Sequence, residues 1–509
     1  MTVVHMGPDS QGVSCVKIAK GNLDAYSTPD SQIGAWMYNS KWAADIKLSA
    51  VNPLPPVTVT TFRPVGSGAG NFTWYTRANT QYEWTNDHII RAAHYMPALE
   101  YNMPLCDVLP VKSSNGRFVA GQLMHSTLGF EERGGVSSMR GRNHDGWYEG
   151  WYTGRNDIAA VDYAINIRSS FQLSDMSAAY QQRLVLWRLP GDDTPIKDGA
   201  PKAPVIGQDS VQINSAACRV AKPGYDVRYA TPTQLAFDSS SNPAKVIAAG
   251  DVAVPWSLSF VDLGFEVPPN TVANVCFYET GGPIYYPVSP VPAVDFGAEY
   301  WFDGRRMWFD NLNAACRARY IVLAFDDSPP TSGDNEVLRQ FTAGGENVVQ
   351  FLRPGSGDPP SFADIVLDSR WPCLQIVREG YIPVTADGIQ SYTISFDGAG
   401  IWPFVKYMTV HGPGADGLGG RWAREVRTPQ VRLCGLKQGS IGGDYTRWTA
   451  GNSTHCVLTA SQATFYSYRG APIQARYPSA ASYPGSPEYK YDPAPIQGIR
   501  YYILGIPQP

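Results

Sequence analysis

The chain has 509 residues, a formal net charge of −4 and a pI near 6.0, so it lacks the basic footprint of a nucleic-acid binder. Hydrophobic residues make up 43%, enough for ordinary globular cores, but charged residues reach only 17%, below the roughly 25% of a typical soluble domain. Gly (49), Pro (41), Tyr (29) and Trp (14) fill the gap, which predicts many short strands joined by turns and little room for long helices.

Taken in chain order, residues 1–12 are polar and are expected to form a flexible or docking arm. A first β-domain is expected over 1–190. It opens with the strand at Cys15 and the alternating run Val57-Thr58-Val59-Thr60-Thr61-Phe62, which reads as a half-buried strand. From about 66 to 154 the text finds no counterpart in the middle of the chain and reads as an insertion. It holds Trp74, Trp84, Trp147 and Trp151, and Thr85–Tyr95 is its best helix candidate, with Thr85 or Asn86 as cap. Residues 191–204 are a Pro/Gly/Asp linker. A minimal middle β-domain follows over 205–328, its short apolar runs Ser257–Phe260, Asn274–Tyr278, Met307–Phe309 and Tyr320–Phe325 separated by turn residues. After a second linker, 326–335, a third β-domain spans 336–509 and carries a second insertion, about 412–495, rich in glycine, tyrosine and arginine.

These elements repeat. Setting Asp368-Ser369 over Asp238-Ser239 gives an offset of 130 residues, and Gln375, Ile376, Gly380 and Val384 then fall on Lys245, Val246, Gly250 and Val254 without a gap. A more worn copy runs from Cys15 to Leu48, where Lys20-Gly21 and Asn39-Ser40 match Lys222-Pro223-Gly224 and Asp238-Ser239. Each copy ends in an arginine followed by an apolar run, at Arg183, Arg319 and Arg500. Repetition at this scale decides the fold expectation: all-β, three tandem β-sandwich-like domains, the first and third elaborated by loop or helix insertions.

The residues of Lys222-Pro223-Gly224-Tyr225-Asp226-Val227, followed by Ala230-Thr231-Pro232 and Phe237-Asp238-Ser239, resemble a module of tailed-bacteriophage virion proteins. Asp262-Leu263-Gly264-Phe265 with Pro268, and Asp397-Gly398-Ala399-Gly400 with Pro403, are similar to the turn of phage tail-fibre-like β-domains. The resemblance covers the repeated cores and neither insertion. It implies a structural component of a phage particle, of the tail (fibre, tail tip or adaptor), with a head decoration or head fibre protein as first alternative. A carbohydrate-binding or polysaccharide-degrading protein is the second. The matched pattern carries no catalytic residue.

Read for chemistry, the chain is not expected to be an enzyme or to hold a cofactor or metal. The recurrent Asp-Ser pairs suit turns, where both residues hydrogen-bond nearby backbone, and Asn39-Ser40 can do the same work. No glycine-rich segment ends in Gly-Lys-Ser/Thr ahead of a helix, and no histidine pair has the i, i+4 spacing of a helical zinc site. The eight cysteines lack paired spacing and are expected to be reduced. No apolar run approaches the 18 or more residues of a spanning helix, so no membrane insertion is expected, and the N-terminal residues do not read as a secretory signal. Interface-type residues concentrate in the insertions: Arg140, Arg142, His144, Trp147 and Trp151 in the first, Tyr445 and Trp448 in the second. Partners expected are other virion proteins, further copies of the chain (a trimer among the forms expected) and a host-surface glycan or protein; no nucleic acid is expected. The expected location is the virion, assembled in the host cytoplasm.

Overall fold

Each repeated segment folds first into a small antiparallel sheet. In the computed structural model these are β1 (Val3–Pro8), β2 (Ser14–Ala19) and β3 (Trp36–Asn39); β11 (Val211–Asn214), β12 (Ala217–Ala221) and β13 (Leu235–Asp238); and β21 (Leu338–Ala343), β22 (Glu346–Leu352) and β23 (Ile365–Asp368). The structure describes residues 3–41, 47–54, 60–62, 72–77, 87–92, 105–112, 114–122 and 180–188, most of 209–324 and of 336–411, and shorter stretches between 414 and 508. The N-terminal arm expected over 1–12 is in part strand β1, because Val4 supplies an apolar side chain to the core behind it.

The Asn/Asp-Ser pair is the fastening of this sheet. Asn39, Asp238 and Asp368 are the last residues of β3, β13 and β23, and they lie opposite Lys17, Arg219 and Gln350. The serine that follows closes the register: Ser40, Ser239 and Ser369 accept the backbone N–H of Val16, Cys218 and Val349 at 3.0, 2.8 and 3.0 Å. Each returns its own N–H to the carbonyl of the same residue. Lys222-Pro223-Gly224 and Arg353-Pro354-Gly355 form turns in which glycine takes positive φ (90° and 86°), a conformation closed to most side chains. The three small sheets then share one core, in which Val16, Ile18 and Tyr38 meet Cys218, Val220 and Ala236, and Val349, Phe351 and Val366.

The longer strands follow in the same order. The first repeat supplies β4 (Lys47–Leu54), β5 (Thr60–Phe62), β6 (Phe72–Arg77), β7 (Asp87–Ala92), β8 (Leu105–Lys112), β9 (Phe118–Gly121) and β10 (Tyr180–Arg188). The second supplies β14 (Lys245–Val254), β15 (Leu258–Asp262), β16 (Thr271–Tyr278), β17 (Ile284–Tyr286), β18 (Gly297–Asp303), β19 (Arg306–Asp310) and β20 (Cys316–Ala324). The third supplies β24 (Gln375–Pro383), β25 (Gly388–Ser395), β26 (Ile401–His411), β27 (Gly414–Ala415), β28 (Arg421–Trp422), β29 (Glu425–Arg427), β30 (Lys437–Ile441), β31 (Asp444–Thr449), β32 (Ser453–Leu458), β33 (Gln462–Arg469), β34 (Gln474–Arg476) and β35 (Ile496–Pro507). The all-β expectation holds. The helix expected over Thr85–Tyr95 does not: Asp87–Ala92 is β7, paired with β6. An eleven-residue segment is marginal as a helix, whereas its Ile89-Ile90 pair is β-branched and suits a strand.

Sheet order shows how the repeats are joined. One sheet runs β15-β19-β18-β9-β8-β10-β4, so three strands of the second repeat extend four of the first. Another runs β24-β35-β26-β29-β7-β6-β5, in which three strands of the first extend four of the third. Between the second and third repeats the order is β25-β33-β32-β17, with β17 following β16 of the sheet β14-β20-β16. The pairings β9–β18, β17–β32 and β29–β7 therefore close a ring: first to second, second to third, third to first. Hydrogen bonding does not stop at the boundaries expected from the sequence.

Both segments expected as insertions contain strands at common positions. The hairpin β6–β7 stands where β18–β19 and β32–β33 stand, and β8 corresponds to β16 and β26. In the first repeat this hairpin comes before β8, whereas in the second it comes after β17, a change of order that hides the equivalence from any fixed offset. The arginine-led runs expected to close each repeat become β10, β20 and β35, and each lies between two neighbours. One large core continues across all three repeats, with Leu109 and Phe118, then Phe277, Tyr300 and Phe309, then Phe404, Met408 and Tyr502. Gly250 and Gly380 recur in it for a reason of space. A Cβ on Gly380 would stand 2.7 Å from the Tyr501 hydroxyl, and one on Gly250 would collide with Tyr320.

Candidate functional site

Arg140, Arg142, His144, Trp147 and Trp151 lie outside the described residues. Tyr445 and Trp448 fall on β31, opposite Ser440 and Lys437 of β30, in the small sheet β30-β31-β34; their side chains too are outside the described set. The site that can be built from residues upward is elsewhere, on the outer face of the sheet that joins the first and second repeats.

Strands β15, β19 and β18 alternate. Met307, Phe309 and Tyr300 point inward, and Tyr300 stacks on Phe118 across the repeat junction with ring centroids 5.3 Å apart. The other parity faces out. Phe260 opposes Trp308, Trp308 opposes Trp301, and the next position along that row is Arg117. Ring centroids are 4.8 Å apart for Phe260–Trp308 and 6.1 Å for Trp301–Trp308, the latter pair nearly parallel at 7°. Guanidinium groups close both ends of the row: Arg117 lies 3.7 Å from the Trp301 ring centroid and Arg306 lies 4.4 Å from that of Phe260. Planar cations stack on aromatic faces because the ring quadrupole is negative above and below.

Charge holds this face in place. Arg117 bonds Asp310 at 2.8 Å and Glu299 at 3.3 Å, and Lys112 bonds Glu299 at 2.5 Å, so two cations of the first repeat grip two carboxylates of the second. At the hairpin end, the Gly264 backbone N–H and then Arg305 keep the Asp262 carboxyl below its usual range. The surface is open beyond that: Phe260 is 47% exposed, Leu258 55% and Trp256 72%.

Two other charged groups are closed and structural. Lys17 and Lys41 each bond both Asp9 and Asp30, at 2.5 to 2.7 Å, and Asp9 and Lys17 are fully buried. Asp251 accepts from Arg317 and Arg319 at 2.8 and 2.9 Å and from the Tyr278 hydroxyl at 2.5 Å; Arg319 also reaches the Pro403 carbonyl of the third repeat. Among the described residues, no three His, Cys, Asp or Glu side chains gather as a metal set, and the six described cysteines are free thiols. Burial pushes the Cys218 and Cys316 thiols up to about 12, leaving them protonated and unreactive at neutral pH.

Fold and site together define an all-β protein of three strand-sharing repeats with an open aromatic face at one repeat junction. No family model matches the chain, and neither does any curated protein or solved structure. Sequence reading missed the aromatic face because Met307-Trp308-Phe309 looks uniformly apolar. The period of two in a strand was the usable signal: if Met307 and Phe309 face the core, Trp308 faces away.

Proposed function

We propose that the chain is a structural component of a tailed-phage particle, most plainly of its tail (a fibre, tail tip or adaptor), acting through protein–protein assembly and attachment at the host surface. The ring of β9–β18, β17–β32 and β29–β7 pairings supports this reading best. A ring that closes through strand exchange gives one chain the connectivity of a trimer, and its large apolar core resists local opening. A rigid body of that kind supplies repeated outer edges on which neighbours can be seated. The module resemblance in Lys222–Ser239 points the same way.

Immunogold labelling of purified phage particles with antibody to the chain tests the proposal. Gold at the tail supports it. Gold on the head moves the chain to decoration or head-fibre duty, and particles that carry none of the protein overturn the reading.

A further inference from the structure

The outer face of β15, β19 and β18 has an internal control in the third repeat. Leu263 donates its N–H to Arg305 just as Phe396 donates to Ser461, which aligns β15–β19 with β25–β33. On that register Thr393 stands where Phe260 stands, Thr464 where Trp308 stands, and Ser391 where Leu258 stands. Thr393 and Thr464 share a hydrogen bond of 3.1 Å at the surface. The same position in the same fold is thus filled by hydroxyls in one repeat and by large apolar rings in another. Folding does not require the rings.

The strand that bears them is also an edge. Among the described residues β15 is the last strand of its sheet. Because Leu263 bonds β19 through its backbone, Ser259 and Val261 do so as well, and Leu258, Phe260 and Asp262 turn their N–H and C=O groups to the free side. Exposed edges are ordinarily blunted by charge or proline. Here charge sits only at one end, on Asp262 paired with Arg305, and the rest of the edge exposes Trp256, Leu258 and Phe260.

We propose that β15 is a self-association edge at which a second copy of this chain pairs antiparallel, centred on Phe260. The symmetry of the register suits that occupant. Pairing about Phe260 sets Leu258, Phe260 and Asp262 of one copy opposite Asp262, Phe260 and Leu258 of the other, so every outward backbone group meets an outward group. The contact is isologous and closes at two copies. It continues the mode already used at β9–β18, where one repeat's sheet is lengthened by the next. The row Trp301–Trp308–Phe260 then runs on through the partner's equivalent row, covering both exposed phenyl rings. This proposal does not depend on the particle assignment, since it concerns the isolated chain.

Sedimentation of the full chain over roughly 1 to 100 μM, a range spanning common interface affinities, reads the outcome. The expected result is conversion from the 55.7 kDa chain to twice that mass as concentration rises. Replacing Leu258→Ser and Phe260→Thr, the residues that the third repeat uses, should weaken dimerisation at least about tenfold with an unchanged melting temperature. Phe260→Pro, which deletes one outward N–H together with the ring, should weaken dimerisation beyond Phe260→Thr, the difference reading the backbone contribution. A chain that remains monomeric throughout, or a dimer that none of these substitutions weakens, overturns the proposal. So does a monomer whose tryptophan fluorescence responds to dextran, which would assign the face to a glycan.

Discussion

At the scale of the residue, the serine after each Asn/Asp is the most informative side chain in the protein. Its hydroxyl accepts one backbone N–H and its own N–H answers the paired carbonyl, so it fastens a third strand that has only a few ladder bonds of its own. Ser239→Ala or Ser369→Ala leaves that buried N–H unpaired, and each should lower unfolding free energy by about 1–3 kcal/mol in urea titrations. The Asp9 cluster carries a pH dependence. Burial alone would raise the Asp9 carboxyl, but the bonds from Lys17 and Lys41 outweigh it and hold the group well below its usual range. A carboxyl depressed on folding adds stability above its unfolded pKa of about 4, and that contribution is lost as pH falls through the lower folded value. Urea midpoints should therefore fall steadily below about pH 4, and Asp9→Asn should flatten that acid limb. The same variant leaves Lys17 and Lys41 sharing the single carboxylate of Asp30. One buried positive charge then goes uncompensated, and at neutral pH the change should also cost about 3–5 kcal/mol.

At the scale of the element, β14 and β24 show why an offset of 130 residues survives in the sequence. Gly250 and Gly380 are kept by tyrosines that cross over them from β20 and β35. Gly380→Ala should destabilise by about 1–3 kcal/mol through overpacking, and Tyr501→Phe in the same chain should recover part of it, because the hydroxyl is the nearest atom. Calorimetry of the single and double variants checks both statements. Strand β7 teaches the opposite lesson. The Thr85–Tyr95 segment has a helix-like cap and length, yet β6 offers it hydrogen bonds along six residue pairs, and tertiary pairing prevails over local preference.

At the scale of the whole molecule, the repeats behave as one body. The largest core draws side chains from all three, and Lys112 and Arg117 hold Glu299 and Asp310 across the first junction. Thermal unfolding should accordingly be one transition with calorimetric and van't Hoff enthalpies in agreement. Three resolved transitions would show that the repeats unfold as beads on a string.

Within the sequence lay the fold class, the repetition and the turn-setting half of the Asn/Asp-Ser pairs, seen where Asn39 and Asp368 accept the N–H two residues on. The serine's bond to a strand 20 or more residues away was not in it. Turn chemistry and close-packed glycines, by contrast, are local demands that recur wherever the strand geometry recurs. Trp308 and Phe260 were legible as strand residues, the strand of Trp301 was not read, and none of the three was legible as part of an assembled surface. Their meeting depends on β15, β19 and β18 lying side by side, and their significance depends on Thr393 and Thr464 occupying the same register elsewhere. The ring itself could not be read from the chain at all. Nothing local to β9 names β18 as its neighbour, and the shifted position of the β6–β7 hairpin erases the offset that would have revealed the pattern. Local hydrogen bonding and packing volume fix what each segment becomes; which segment completes another's sheet is decided only when the edges and apolar faces of all three repeats are buried together.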